Sequence, residues 1–240
     1  MPLNALIEVR AALHRLLPPV VTSSAGLIAD HYPPLHPEEL AATGRMTAGR
    51  RQEFAAGRAQ ARRVLQGLGL ASPVLPVGDD RAPRWPDGFV GSISHAGELV
   101  VAVAAPCTLL GALGVDLEPG LPLETDLLKR ICRPEELSRL AASTEPLRQA
   151  KLIFSAKESV YKCVAPQLGI FLDFPDLEIF FDQKEERFHA QGHGKAAALI
   201  GPHTVTGRFA AAGGYWLTTA WASQGFLARR SIPKRRSTPE

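Results

Sequence analysis

Apolar residues Leu3, Leu6, Ile7, Leu13, Leu16 and Leu17 recur at helical spacing, with Glu8 and Arg10 among them. The pattern predicts an amphipathic helix at the start of the chain and lacks the continuous apolar core of a secretion leader. Pro18–Pro19 and Pro33–Pro34 bracket an irregular stretch in which a short strand is expected at 26–30. A stronger helix is predicted over 47–68, with Phe54, Ala61, Val64, Leu65 and Leu68 as its apolar side. Residues 71–88, rich in proline and glycine, read as a long loop of the kind that is often functional. Three apolar segments at 89–94, 99–104 and 110–117 follow, separated by turn residues, and read as neighbouring strands.

The second half begins with helix. Pro134 with Glu135 and Glu136 has the form of a first helical turn, and a longer helix is predicted over 146–164. Pro175 breaks the chain before strands expected at 177–181, 187–190, 205–211 and 215–221. Each half is helix-first and strands-after, an α+β pattern, and no residue-level repeat relates the two.

Composition narrows the class. With 240 residues, 45% hydrophobic and 21% charged, the chain can bury a core without metal or disulfide staples. The formal charge of +3 is uneven, because residues 228–240 carry Arg229, Arg230, Lys234, Arg235 and Arg236 against Glu240 alone. The remaining body is slightly acidic, so nucleic acid is not an expected partner, and the tail reads as a solvated, disordered end. Cys107, Cys132 and Cys163 lie far apart with no CxxC, which argues against a disulfide framework or zinc knuckle and fits a reducing compartment. The apolar run from Leu99 to Val115 is broken by Pro106, Thr108 and two glycines, so it reads as two strands and not a membrane span. A cytoplasmic location is expected. His189 and His193 are four apart but lie among glycines without HExxH, and His14, His31, His36 and His203 read as surface or loop residues.

Four segments could carry chemistry. In Gly114-Val115-Asp116-Leu117-Glu118, alternate strand positions place Asp116 and Glu118 on one side, where two repelling carboxylates suit a hard divalent cation such as magnesium. Taken alone, the pair reads first as a strand running out into solvent, where Asp and Glu are ordinary. In Phe154-Ser155-Ala156-Lys157-Glu158-Ser159-Val160-Tyr161-Lys162, Glu158 and Lys162 share a helix face. That pair is either a surface ion pair or a third metal ligand (or base) with lysines on phosphate oxygens. Gly88 to His95 combines small residues with the donors Ser94 and His95, suited to a phosphate; it is neither a nucleophile elbow nor GxGxxG. Arg51, Arg58 and Arg62 fall within about 40° on the 47–68 helix, a basic stripe opposite its apolar side, flanked by Arg50 and Arg63. With Arg45 these cations have only Glu53 to offset them; the stripe is either a solvated face or an attractor for a phosphorylated ligand.

Taken jointly and in this order, the segments resemble the 4′-phosphopantetheinyl transferases of the Sfp and enterobactin-synthetase type. The resemblance is carried by Ala82-Pro83-Arg84-Trp85-Pro86-Asp87-Gly88 running into Gly91-Ser92-Ile93-Ser94-His95, by Gly114-Val115-Asp116-Leu117-Glu118, and by Phe154-Ser155-Ala156-Lys157-Glu158-Ser159 with Lys162. It implies a single-chain pseudo-dimer of two similar α+β halves with the active site between them. The expected division is 1–115, on the coenzyme A 3′-phosphate side, 116–227, on the metal and pyrophosphate side, and the tail 228–240. The implied reaction is transfer of the 4′-phosphopantetheine arm of coenzyme A to a serine of an apo acyl or peptidyl carrier protein, releasing 3′,5′-ADP.

By the same resemblance Asp116, Glu118 and Glu158, with the Leu117 carbonyl, are the expected ligands of magnesium (manganese as a substitute). Arg50 and Arg58, with Arg51 as a register alternative, are expected on the 3′-phosphate, and Ser94 and His95 on coenzyme A phosphates. Arg81 is expected near the adenine, Lys157 and Lys162 on the pyrophosphate. Asp116, Glu158, Lys162 and Lys157 make the expected catalytic set. The sequence departs from many relatives at Phe154, where they have Trp; both anchor a helix. A non-catalytic coenzyme A or carrier-binding protein of this fold is the alternative, and it predicts a broken triad. A magnesium-dependent phosphohydrolase would need a nucleophilic Asp or water-positioning pair that no motif supplies. With both halves in one chain, a monomer is expected.

Overall fold

In the computed structural model, which describes residues 2–29, 31–78, 81–201 and 204–228, the opening amphipathic pattern folds as helix α1 (Pro2–Leu16). The basic tail from Arg229 on, Asp30 of the strand expected at 26–30, and His203 lie outside the described residues. Strand β1 runs Thr22–Leu27, four residues earlier than expected. Its small, polar sequence has little strand character; its place is decided by pairing with the apolar β3, Thr22 opposite Ala104 through to Leu27 opposite Leu99.

A short α2 (Pro37–Leu40) precedes α3 (Ala48–Gly67), whose N-cap Thr47 accepts the Arg50 N–H. Strands β2 (Phe89–Ala96), β3 (Leu99–Pro106) and β4 (Ala112–Pro119) follow. Next come α4 (Leu128–Ile131), α5 (Pro134–Ala141) and the long α6 (Pro146–Leu168). The chain closes with β5 (Leu177–Asp182), β6 (Arg187–Gly192), β7 (Thr206–Ala212), β8 (Tyr215–Ala222) and α7 (Gly225–Ala228). Helix α6 runs one turn beyond the expected end, through Pro166, and stops at Gly169 in the left-handed conformation.

Two antiparallel sheets form, one ordered β1-β3-β2 and the other β4-β8-β7-β6-β5. The expectation that 89–117 gives three neighbouring strands is corrected here: β2 and β3 pair, but β4 crosses to the edge of the second sheet. The change of sheet falls between Pro106 and Ala112, a few residues before the 115/116 division. Burial explains the topology. Val101 and Val103 of β3 pack into a core shared with α1, Val115, Leu117 and Leu217, while Ala102 and Ala104 meet Val64 and Leu65 of α3. A strand covered on both faces must be apolar throughout, as β3 is. Strand β4 divides likewise. Leu113, Val115 and Leu117 face the shared core, which turns Gly114 and Asp116 toward α6.

The architecture is therefore α+β, each half a long helix on an antiparallel sheet, with three strands in one and five in the other. The edge strands β2 and β4 meet where the halves join, and the Leu117 N–H donates to Ser94 Oγ across that seam at 3.3 Å.

Candidate active site

Asp116 sits at the seam, only 2% exposed. One carboxylate oxygen accepts from Lys162 Nζ at 2.6 Å and from Ser94 Oγ at 3.0 Å; the other accepts from Ser155 Oγ at 2.8 Å. Two strands and α6 thus converge on a single side chain. Glu118, two residues on and facing the same way, takes Lys151 Nζ at 3.2 Å. Glu158 lies 4.0 Å from Lys162. All three carboxylates line one cavity of about 290 Å³ together with Ser94, His95, Arg50, Arg58, Arg81 and Lys162.

The electrostatics follow from this crowding. Burial, reinforced by Asp116, raises the Glu118 pKa, with Lys151 pulling it back. Burial also raises Glu158; Lys162 opposes the shift while Asp116 and Glu118 add to it. For Lys162 burial works against the charge, but Asp116 and Glu158 more than offset it and its pKa ends above the ordinary lysine value. Among the described residues no three His, Cys, Asp or Glu side chains close on one point as in a metal cage. What lies between Asp116 and Glu158 is the Lys162 ammonium. An all-oxygen set whose members repel one another still fits a hard divalent cation in chemistry, since such ions take one to three carboxylates and complete their shell with water or phosphate oxygens.

The arginine end is built by α3. Arg50, at its exposed start, reaches His95 Nε2 at 2.6 Å and Glu53 at 2.9 Å. Because arginine can only donate, His95 accepts through Nε2 and is neutral there. Burial first, then Arg50 and Lys162, lowers the His95 pKa, against Glu53 and Asp116. Arg58 is 5% exposed: its guanidinium stacks on Phe54 at 4.3 Å and donates to the Leu75 carbonyl at 2.7 Å. Desolvation pushes its pKa down to about 10, which leaves it charged at neutral pH.

Two sequence expectations change. The arginine stripe is not a solvated face opposite the apolar side: Arg58 is buried, and Arg62 is held by the fully buried Glu39 at 2.6 Å. Glu39, distant in sequence, is the missing counterion, and it also caps the Leu75 N–H. Arg50, and not Arg51, lines the cavity. The second correction is Lys157. Its side chain is 0% exposed and its Nζ is spent on Glu136 at 2.6 Å and the carbonyls of Ile131 and Phe174. It lies on the opposite side of α6 from Lys162, anchors the α4–α5 segment and takes no part in the cavity. Ser155, Thr218 and Lys151 were missed. Ser155 bonds Asp116 and Thr218, and helical spacing of 151, 155, 158 and 162 was the available signal.

A second, more apolar pocket of about 540 Å³ adjoins, sharing Arg81, Pro83 and Lys162 with the first and walled by Trp85, Ile93, Tyr161 and Phe171.

Comparison with known proteins gives the family. Residues 36–105 match the 4′-phosphopantetheinyl transferase N-terminal domain, and residues 112–220 match the 4′-phosphopantetheinyl transferase superfamily. The chain belongs to the 4′-phosphopantetheinyl transferase superfamily. The 4′-phosphopantetheinyl transferase Svp of Streptomyces mobaraensis is 40% identical over 65% of this chain and 65% of its own, just under two thirds of that relative's length. PptT of Mycobacterium tuberculosis is 32% identical over 76% of this chain and 83% of its own. Enterobactin synthase component D of Salmonella typhi is 38% identical over 56% of each. The two family matches meet between β3 and β4, where the chain passes from one sheet to the other. No helix among the described residues is long and apolar enough to cross a membrane.

Proposed function

We infer that this transferase moves the 4′-phosphopantetheine arm of coenzyme A onto a serine of an apo acyl or peptidyl carrier protein, as a single chain in the cytoplasm. The supporting observation is one cavity holding both halves of the chemistry: three carboxylates with Lys162 at one end, and Arg50, Arg58, Arg81 and His95 at the other. Arg50 and Arg58 suit the 3′-phosphate monoester, since guanidinium forks match phosphate oxygens. Arg81 borders the adenine side, and Ser94 and His95 reach the diphosphate. The adjoining apolar pocket suits the uncharged pantetheine arm.

Asp116, Glu118 and Glu158 would hold magnesium, or manganese in its place, with the Leu117 carbonyl beside them; when bound, the ion supplies positive charge beside the pyrophosphate. The chain's own residues do the rest. The serine oxygen attacks the phosphorus that carries pantetheine, and the bond from that phosphorus to the departing 3′,5′-ADP breaks. Glu158, which lines the cavity beside Lys162, takes the serine proton directly or through one water. Lys162, whose ammonium donates to Asp116 at 2.6 Å, is placed to stabilise the leaving phosphate or to protonate it. No observation favours a non-catalytic protein of this fold, since every carboxylate and Lys162 line the cavity.

The test is to mix the protein with coenzyme A, magnesium and apo carriers of the fatty-acid, polyketide and nonribosomal-peptide types, then weigh each carrier by mass spectrometry. One added phosphopantetheine on a carrier, lost with Asp116→Asn, is the expected result. No modification of any carrier, or wild-type turnover by Asp116→Asn, overturns it.

A further inference from the structure

Both carboxylates of β4 have a cation, and both cations come from one face of α6. Lys151, Ser155, Glu158 and Lys162 are spaced by four, three and four residues, a single stripe along the helix. Its two ends answer the strand in order, Lys162 on Asp116 and Lys151 on Glu118. Lys162 lines the cavity, but Lys151 does not. The Lys151–Glu118 pair is shielded, its side chains 16% and 22% exposed, so its attraction is less screened than that of an open surface pair. In the same position Lys151 Nζ lies 5.5 Å from the centre of the Phe154 ring, which is backed by Phe174 at 5.4 Å. The aromatic residue of the helix motif thus faces this lysine.

We propose that Lys151 is the resident counterion of Glu118 and competes with a divalent cation for this carboxylate. The proposal rests on reading Asp116, Glu118 and Glu158 as cation ligands. A cation that claims Glu118 must displace the ammonium from this carboxylate. Lys151 therefore lowers affinity for the bare ion, and the ion is held firmly only when pyrophosphate adds its own oxygens. Neither Asp116 nor Glu118 is then left as an uncompensated charge in the free protein.

The experiment is calorimetric titration of magnesium, without coenzyme A, into full-length wild type, Lys151→Met, Lys151→Arg and Asp116→Asn. Lys151→Met, which keeps the stem and removes the charge, should bind about three- to ten-fold more tightly than wild type. Lys151→Arg should stay near wild type, and Asp116→Asn should lose binding. Unchanged or weaker binding by Lys151→Met, with Asp116→Asn still defective, overturns the role of Lys151 and leaves the ligand reading standing. No binding by any of the four proteins, or full binding by Asp116→Asn, overturns both.

Discussion

Asp116 carries the densest set of interactions in the site, with Ser94, Ser155 and Lys162 all pointing at one buried carboxylate. An alanine there would strand those donors as well as remove an anion, at a cost of about 1–3 kcal/mol. Asparagine is the cleaner substitution for that reason. At the other end of the cavity, Arg50 is exposed and Arg58 is packed, so the two test different things. Arg50→Ala should leave the melting temperature within about 1 °C and weaken coenzyme A by roughly ten-fold. The 3′-dephospho form should lose little; equal loss for both donors, read by calorimetry, would reject the 3′-phosphate assignment. Lys157 illustrates how a motif residue can be structural. Breaking its buried pair in Lys157→Met should cost ~3–5 kcal/mol in denaturant unfolding. Turnover per folded molecule should stay near wild type, because its ammonium faces Glu136 and not the cavity.

Elements matter here through how closely they approach. Strand β4 lies directly against the α6 backbone at Gly114, where an added Cβ would overlap the Ser159 carbonyl and sit 2.7 Å from Cys163 N. That contact is what lets Ser155 and Lys162 reach Asp116. Gly114→Ala should push α6 away from β4, with a stability loss of about 1–3 kcal/mol. A larger proportional loss of coenzyme A binding than Lys157→Met causes is also expected, because the displaced helix carries Glu158 and Lys162. Wild-type binding by a folded Gly114→Ala protein would show that the α6–β4 spacing does not set the site. Strand β2 makes a complementary contribution. Its alternation sends Ser94 to the carboxylates and His95 to the arginines, so one strand serves both ends of the cavity.

At the scale of the whole molecule, two carboxylates of the site each cost the fold stability at neutral pH. Glu158 and Glu118 are both held above the ordinary glutamate value, so the folded chain keeps protons that the unfolded chain has released. Stability from these groups therefore falls as pH rises from the ordinary value through the raised one, and the penalty persists at neutral pH. Glu158→Gln should raise the melting temperature at pH 7, by about 2–4 °C for each kcal/mol regained. The gain should vanish below the ordinary glutamate pKa, while transfer drops by roughly a hundred-fold or more. A melting temperature that Glu158→Gln lowers at pH 7 would mean that the carboxylate is a net stabiliser.

Hydrophobic periodicity along the chain was sufficient for the α+β class, for α1, α3 and α6 and for most strands, because helical and strand patterns are local and burial enforces them. Motif order was sufficient for the family, and the residues it singled out, Asp116, Glu118, Glu158 and Lys162, line one cavity. Local pattern had no means of placing β1, whose position is borrowed from β3, or of sending β4 to the second sheet. Nor could it show Glu39 beneath the arginines, Lys157 locked to Glu136, or Lys151 on Glu118. Each of these joins residues more than 20 positions apart, and a charge reads the same in sequence whether it meets solvent or a buried partner. Only packing decides which it meets.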